Sequence, residues 1–168
     1  MKVHNVQDLM YVGMTYVLDA EQKLSNEAGK MAQAASDSEV KEMFQKTVTQ
    51  GQKYAERVQT AFGKLGKQPE TAENRIAEAM VNEVENMIST TEQGPVRDAA
   101  LIVAFNQQQA YRVSSYGSLR SYAELIGKQD AVADLEQSLQ EAKAGDEKLT
   151  NIAETRINRQ AAQQPVAA

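Results

Sequence analysis

Polar side chains interrupt the apolar stripes of the predicted helices, and the carboxylates among them could bind a metal. Near the helix midpoints these residues are Glu21, Thr47, Gln108, Arg112 and Asp146. The midpoints of antiparallel helices meet at one level. These five residues therefore predict a polar layer at the centre of a bundle. Helix bundles hold metals and cofactors at such a level.

The ligand set for a dinuclear iron or manganese centre is incomplete. Such a centre needs about four carboxylates and two imidazoles, usually with Glu-x-x-His on two of the helices. The chain has one histidine, His4, at or before the start of the first predicted helix, and no Glu-x-x-His. It has no cysteine, which excludes thiolate metal sites, a thiol nucleophile and disulfides. We therefore expect no cofactor, with manganese or iron as the candidates if one binds.

Arg112 offers a protein-made replacement for a metal cation. An inward carboxylate at Glu21 or Asp146 is costly to bury without a positive partner. A guanidinium supplies a positive charge and several hydrogen-bond donors in one plane. We therefore expect Arg112 to pair with Glu21, Asp146 or both. Tyr54 and Tyr116 are interpreted as core aromatics whose hydroxyls reach a polar partner.

Proline, glycine and capping residues divide the chain into five helical segments. Their expected ranges are 5–34, 38–65, 72–91, 95–126 and 129–158. Pro95 fits a first helical residue, and Gly66 and Gly127 fit positions just past helix ends. Short turns join the first two and the last two long helices. We therefore predict an all-α, ferritin-like antiparallel four-helix bundle of two long hairpins, with a short extra helix in the crossover.

Length, charge and hydropathy narrow the class of protein. A chain of 168 residues fits one domain, which we place at 1–159, followed by a disordered C-terminal tail at 160–168. We recognise no leader and no run of about 18 apolar residues, which argues against export and membrane insertion. The net charge of −5, with scattered basic residues, argues against nucleic acid as a partner. We expect a cytoplasmic protein.

The order and spacing of five short segments resemble the YciE/YciF-type ferritin-like family of small bacterial stress-associated proteins. The segments are residues 18–24 (LDAEQKL), 62–66 (FGKLG), 96–102 (VRDAALI), 116–120 (YGSLR) and 146–149 (DEKL). The resemblance covers roughly residues 6–158. It implies a ferritin-like bundle, a role in bacterial stress and self-association as a homodimer.

The metal-binding positions that the resemblance implies are mostly substituted. Where relatives are expected to carry a His and a Glu in helix two and two Glu in helix four, the chain has Thr47, Gln50, Gln109 and Arg112. An expected Glu-Glu-Lys in helix five reads Glu-Ala-Lys at 141–143. Glu21 and Glu141 are the retained ligands, with Asp146 as a further candidate. The scaffold is therefore kept while most of its ligands are lost.

Three functional hypotheses follow from the sequence. The leading one is a structural or interaction protein in the stress response, without a functional dimetal centre, so that an enzyme is the less favoured class. The alternative is an iron or manganese oxidoreductase or iron-handling protein with a carboxylate-only site, built from Glu21, Glu141, Asp19 and Asp146. A third is a partner-dependent helical module, which requires an exposed apolar patch outside the bundle.

Overall fold

The computed structural model describes residues 2–165, which form a bundle of long helices. The elements are α1 (Val6–Ala34), α2 (Ser38–Lys64), α3 (Arg75–Thr90), α4 (Pro95–Leu125) and α5 (Gln129–Ile152), followed by a π-helical segment (Ala153–Ile157) and α6 (Asn158–Ala162). Helix α3 begins three residues later than the sequence predicted. Helical structure reaches Ala162, inside the segment predicted as a tail, and residues 166–168 of that segment lie outside the described residues.

Side-chain caps and glycines set the helix ends. The side chains of Asn5, Asp37 and Asn74 accept hydrogen bonds from backbone N–H groups in the first turns of α1, α2 and α3. Gly66 and Gly127 follow α2 and α4 with φ of 68° and 72°. Glycine adopts this left-handed conformation without a steric penalty, so the predicted stops at these two positions are confirmed.

The four long helices form an antiparallel bundle of two hairpins. Helix α1 packs along α2, and α4 packs along α5. The hairpins meet through contacts of α1 with α4 and of α2 with α5. The crossover helix α3 lies outside the bundle against α1 and α4. Among the helices of residues 2–165, none combines the length and the apolar character needed to cross a bilayer.

Two apolar clusters fill the bundle on either side of its polar centre. One contains Met10, Met14, Tyr54, Phe62, Tyr116, Leu119 and Leu135. The other contains Met31, Phe44, Leu101, Phe105, Leu149 and Ile157. Burying one large apolar side chain contributes about 1.5–3 kcal/mol. The clusters therefore stabilise the bundle and fix the level at which the polar side chains between them meet.

A polar network closes the end of the bundle at the α1–α2 turn. The carboxylate of Asp98 on α4 is 2% exposed and accepts hydrogen bonds from the backbone N–H groups of Ser36 and Asp37 at 2.8 and 2.9 Å. Asp37 caps α2 and also pairs with Arg156 of the π-helical segment. Arg156 also pairs with Glu39 of α2 at 2.8 Å, so the π-helical segment ties the C-terminal end of the chain to the first hairpin.

Candidate functional site

Glu21 of α1 and Arg112 of α4 form an ion pair at the centre of the bundle. Nε of Arg112 lies 3.1 Å from both carboxylate oxygens, and Nη2 lies 2.9 Å from Oε2. Both residues are 0% exposed. The hydroxyl of Tyr116 donates to Oε1 of Glu21 at 3.0 Å. Protein donors therefore occupy both oxygens of the buried carboxylate.

The remaining contacts of the guanidinium come from α2 and α4. Its Cζ lies 5.3 Å from the centroid of the Tyr54 ring, within the range of a cation–π interaction. Nη1 donates to Oε1 of Gln109 at 3.4 Å. Gln109, Arg112 and Tyr116 are spaced three and four residues apart, which places them on one face of α4. One face of α4 thus presents Arg112 and Tyr116 as donors to Glu21, with Gln109 as an acceptor for Arg112.

Burial and charge act in opposite directions on Arg112. Burial lowers the pKa of Arg112, but the attraction of the Glu21 charge and the hydrogen bonds to it outweigh burial, so that the pKa is raised. Burial and the negative charge of Glu21 raise the pKa of the Tyr116 hydroxyl well above its ordinary value. At neutral pH Arg112 is therefore charged, and Tyr116 is neutral, as a donor to Glu21 must be.

A second arginine pairs with Glu141 between α2 and α5. Nη1 and Nη2 of Arg57 lie 2.6 and 3.0 Å from Oε2 and Oε1 of Glu141. Gln50 and Gln137 also donate to this carboxylate. Burial raises the pKa of Glu141, but the hydrogen bonds from Arg57 and Gln137 outweigh burial and hold that pKa below its ordinary value. The Arg57–Glu141 pair is therefore ionised at neutral pH.

Arg57 and Gln137 contact Glu141 but were not predicted from the sequence, and Arg57 is the charged one of the two. Its side chain is 14% exposed, and it contacts a residue 84 positions further along the chain. A local signal existed, because Gln50, Tyr54 and Arg57 follow the spacing of one helix face. That spacing could not show which helix lies opposite, so the partner of Arg57 was not predictable.

The other predicted polar residues do not join the pair. Thr47 is buried, but its hydroxyl donates to the carbonyl oxygen of Met43 in its own helix at 2.9 Å. Gln108 is 0% exposed and contacts neither carboxylate. Asp146 is half-buried and forms no ion pair with any residue in 2–165. Of the two partners predicted for Arg112, the structure therefore shows Glu21 and not Asp146.

The donor set does not fit a dinuclear metal centre. Within residues 2–165, no three side chains of His, Cys, Asp or Glu lie close enough to hold a metal ion. Asp19 accepts a hydrogen bond from the backbone N–H of Asn74 at 2.8 Å and so anchors the crossover. His4 is exposed ahead of α1. A cation beside Glu21 would also face the fixed positive charge of Arg112, which repels it.

Two concave surfaces flank the bundle centre. A cavity of about 230 Å³ opens between α2 and α5, and its wall includes Thr47, Gln50 and Gln109 together with Glu141. A groove of about 770 Å³ runs between α1, the crossover and α4. The exposed apolar side chains along this groove are Leu9, Tyr16 and Ile76.

Solved structures share this architecture over nearly the whole chain. The crystal structure of the Escherichia coli stress protein YciF matches with a TM-score of 0.88 at 28% identity, over 93% of this chain and 99% of that chain. YcfI of Rhodopseudomonas palustris, described as a candidate structural protein, matches with a TM-score of 0.84 at 27% identity, over 89% and 95%. A two-domain protein of Anabaena variabilis, which contains a ferritin-like domain, matches with a TM-score of 0.66 at 20% identity. The match covers 98% of this chain and 41% of that protein, and it shows a shared fold.

The sequence comparison agrees with the structural one. YciF of Escherichia coli K12 is 29% identical over 162 residues, which are 96% of this chain and 98% of YciF. Residues 5–162 match a family described as a domain of unknown function, DUF892. The all-α, ferritin-like bundle and the resemblance to YciF are thereby confirmed, and this chain belongs to the DUF892 family.

Proposed function

We propose that this chain is a stress-associated, ferritin-like bundle protein that acts as a structural or interaction protein without a functional dimetal centre. The observation that carries the proposal is the buried ion pair between Arg112 and Glu21. It lies at the level where bundles of this type hold metals. A guanidinium 2.9 Å from the carboxylate supplies the positive charge that a metal would otherwise provide.

The second arginine supports the same proposal. Glu141 is the other retained ligand, and Arg57 contacts both of its oxygens. Hydrogen bonds to charged groups contribute about 1.5–3 kcal/mol each. A metal bound to Glu21 and Glu141 would have to replace contacts from two arginines, which disfavours metal binding.

The stress role is extended to this chain from its relatives. YciF is described as a stress protein of Escherichia coli, and YcfI is described as a candidate structural protein. Neither description assigns these relatives a catalytic activity. The absence of cysteine from the 168 residues suits a reducing cytoplasm, where we place the protein.

The metal content of the purified protein tests the central part of this proposal. The chain is loaded with iron, manganese and zinc, desalted, and analysed by inductively coupled plasma mass spectrometry. We expect clearly substoichiometric amounts of every metal. A stoichiometric metal that is lost in Glu21→Gln would contradict the proposal and favour the carboxylate-only enzyme.

A variant that restores the expected family ligands is the matched comparison. It carries Thr47→His, Gln50→Glu, Gln109→Glu and Arg112→Glu on the same scaffold. We expect this variant to bind metal where the wild-type protein does not, because it replaces a fixed cation by carboxylates and adds an imidazole. The wild-type measurement decides the proposal by itself if the variant does not fold.

We also propose that the chain forms a homodimer through the α1–α4 groove. Leu9, Tyr16 and Ile76 are 40%, 43% and 63% exposed in this groove. The groove lies beside α3, which packs on the same two helices, α1 and α4. Light scattering after size-exclusion chromatography should give a dimer mass for the wild type and a monomer mass for Ile76→Lys. Val103→Lys is the control, because Val103 is 52% exposed but does not line the groove. A monomeric wild type would contradict this proposal.

A further inference from the structure

The crossover helix α3 covers a second set of buried polar atoms, separate from the Arg112 pair. Gln108 of α4 is 0% exposed, and neither its amide oxygen nor its nitrogen has a hydrogen-bond partner within the described part of the chain. Glu27 of α1 is 1% exposed, and its Oε1 is likewise unpartnered there, while Oε2 pairs with Lys30 at 3.1 Å. A buried polar atom without a partner is destabilising, so native proteins provide one.

Glu27 and Gln108 lie at nearly the same level of the bundle. The Glu21–Arg112 pair fixes the register of α1 against α4. The two helices run in opposite directions, since Gly13 lies beside Leu119 while Ser36, just past the end of α1, contacts Asp98 near the start of α4. Glu27 lies six positions beyond Glu21, so it is level with Asn106, six positions before Arg112. Gln108 is two residues from that level, which corresponds to about 3 Å along the helix axis.

Helix α3 closes this level from the outside. Near its start, the side-chain amide of Asn74 donates to the carbonyl oxygen of Tyr16 on α1 at 2.9 Å. Near its end, Glu85 pairs with Lys30, the residue that also contacts Glu27. Helix α3 therefore runs alongside α1 and spans the level of Glu27. Val84 of α3, one residue before Glu85, is 0% exposed, and Glu27 and Gln108 are themselves 1% and 0% exposed, so their polar atoms are shut off from bulk solvent.

The available donors and acceptors indicate which ligand fits. Gln108 offers both an N–H donor and a carbonyl acceptor, and Glu27 offers an acceptor. The carboxylate of Glu27 repels an anion. The ammonium of Lys30 repels a metal cation, and residues 2–165 hold no cluster of three ligands for one. A small neutral molecule that both donates and accepts hydrogen bonds meets these demands, and water is the smallest such molecule.

We propose that Glu27 and Gln108 form a polar site beneath α3 that binds ordered water. A water molecule there donates to Oε1 of Glu27 and to the amide oxygen of Gln108, and a further water accepts from the amide nitrogen. The bound water links α1 to α4, and α3 is the cover that retains it. This gives the crossover helix a structural role beyond filling the link between the hairpins.

High-resolution crystal structures test the site directly. In the wild-type chain we expect electron density for water at about 2.7–3.2 Å from the amide of Gln108 and from Oε1 of Glu27. Gln108→Met removes both amide atoms at similar volume, and the water bound to them should disappear. Gln107→Met is the control, because Gln107 is exposed in the same helix and its loss should leave the water in place.

A solution measurement provides an independent readout. In protein labelled with ¹⁵N at glutamine side chains, the amide protons of Gln108 should show a rotating-frame Overhauser effect to a long-lived water. That signal should persist in Gln107→Met. A dry site, or a direct hydrogen bond between Gln108 and Glu27 with no water present, would overturn the proposal. The wild-type density and signal suffice for this decision even if Gln108→Met does not fold.

Discussion

The guanidinium of Arg112 and the carboxylate of Glu21 make three hydrogen bonds in a site with no solvent exposure. The two residues are 91 positions apart, so their contact joins the first hairpin to the second. Two apolar clusters lie above and below the pair. A shift of one helix along the other would separate the charges inside an apolar core, so the pair fixes the relative register of the hairpins.

Removing the arginine should strongly destabilise the protein. Arg112→Leu leaves the Glu21 carboxylate buried with only Tyr116 as a donor. Breaking a buried ion pair by removing one partner typically costs about 3–5 kcal/mol in the free energy of unfolding. Urea denaturation followed by circular dichroism measures the change. A near-neutral effect would contradict the assignment of Arg112 as the partner of Glu21.

Removing both charges should restore much of the lost stability. In Glu21→Leu combined with Arg112→Leu, no charge remains without a partner. Replacing a buried pair by apolar residues is often neutral, or stabilising by about 1–4 kcal/mol. We expect the double variant to unfold at a higher urea concentration than Arg112→Leu alone. Equal urea midpoints for the double variant and for Arg112→Leu would show that Arg112→Leu destabilises the protein through lost packing and not through an unpaired charge.

The second pair should contribute to stability in a pH-dependent way. Burial raises the pKa of Glu141, but the hydrogen bonds from Arg57 and Gln137 outweigh burial, so the folded-state pKa is lowered. A lowered folded pKa adds stability above the ordinary pKa of glutamic acid, about 4.3, and that stability is lost as the pH falls through the folded value. The pair is partly exposed, so Glu141→Gln should cost about 1 kcal/mol at neutral pH.

Unfolding experiments at two pH values check this expectation. Wild type and Glu141→Gln should differ in unfolding free energy at neutral pH and converge in acid below both pKa values. Glu124→Gln is a suitable control, since Glu124 lies on the exposed side of α4. The same difference at both pH values would show that the charge of Glu141 is not the stabilising feature.

Glu27 should show the opposite pH dependence. Burial raises the pKa of Glu27, and the negative charge of Glu85 on α3 raises it further. The hydrogen bond and the positive charge of Lys30 lower the pKa of Glu27, but the net result is a raised pKa. The folded state then binds a proton more readily than the unfolded state. Stability is therefore fully present below the ordinary pKa of glutamic acid and falls as the pH rises through the higher folded value.

Replacing Glu27 by a neutral side chain should remove the loss of stability at higher pH. We expect Glu27→Gln to melt at a higher temperature than wild type at neutral pH, and at nearly the same temperature in acid. Thermal melts monitored by circular dichroism measure both. Glu83→Gln on the exposed face of α3 serves as the comparison. A lower melting temperature for Glu27→Gln at neutral pH would show that the charged form stabilises the fold.

Two glycines of α2 should respond to alanine in opposite directions. A Cβ at Gly51 would lie 2.8 Å from Cβ of Ser25 and 3.4 Å from its Cα, so α1 would have to move away. Such overpacking costs about 1–3 kcal/mol. A Cβ at Gly63 would meet nothing within 4 Å, and alanine there should stabilise the helix by about 0.5–1 kcal/mol. Urea midpoints of Gly51→Ala and Gly63→Ala measure the contrast, and equal shifts would contradict the close approach of the helices.

Local sequence signals were sufficient to predict the helical bundle. The spacing of apolar residues, the caps and the glycines after α2 and α4 act over a few residues, so they can be recognised without knowledge of the tertiary structure. The same signals did not show the π-helical segment at Ala153–Ile157, in which Ile157 is buried and Arg156 contacts Asp37, because these contacts join residues far apart in the sequence. The start of α3 was also displaced, since Asn74 is held by contacts with distant residues.

The sequence by itself determined that a polar layer lies at the bundle centre and that histidine and cysteine ligands are missing from it, because these are matters of residue type and helical spacing. Only the tertiary structure decided which charges meet. Arg112 contacts Glu21 and not Asp146, Arg57 contacts Glu141, and Gln108 is buried away from both carboxylates. The physical reason is that a salt bridge depends on distances of a few ångströms between different helices. Helical periodicity fixes the face on which a side chain lies, but the packing of the helices fixes its partner.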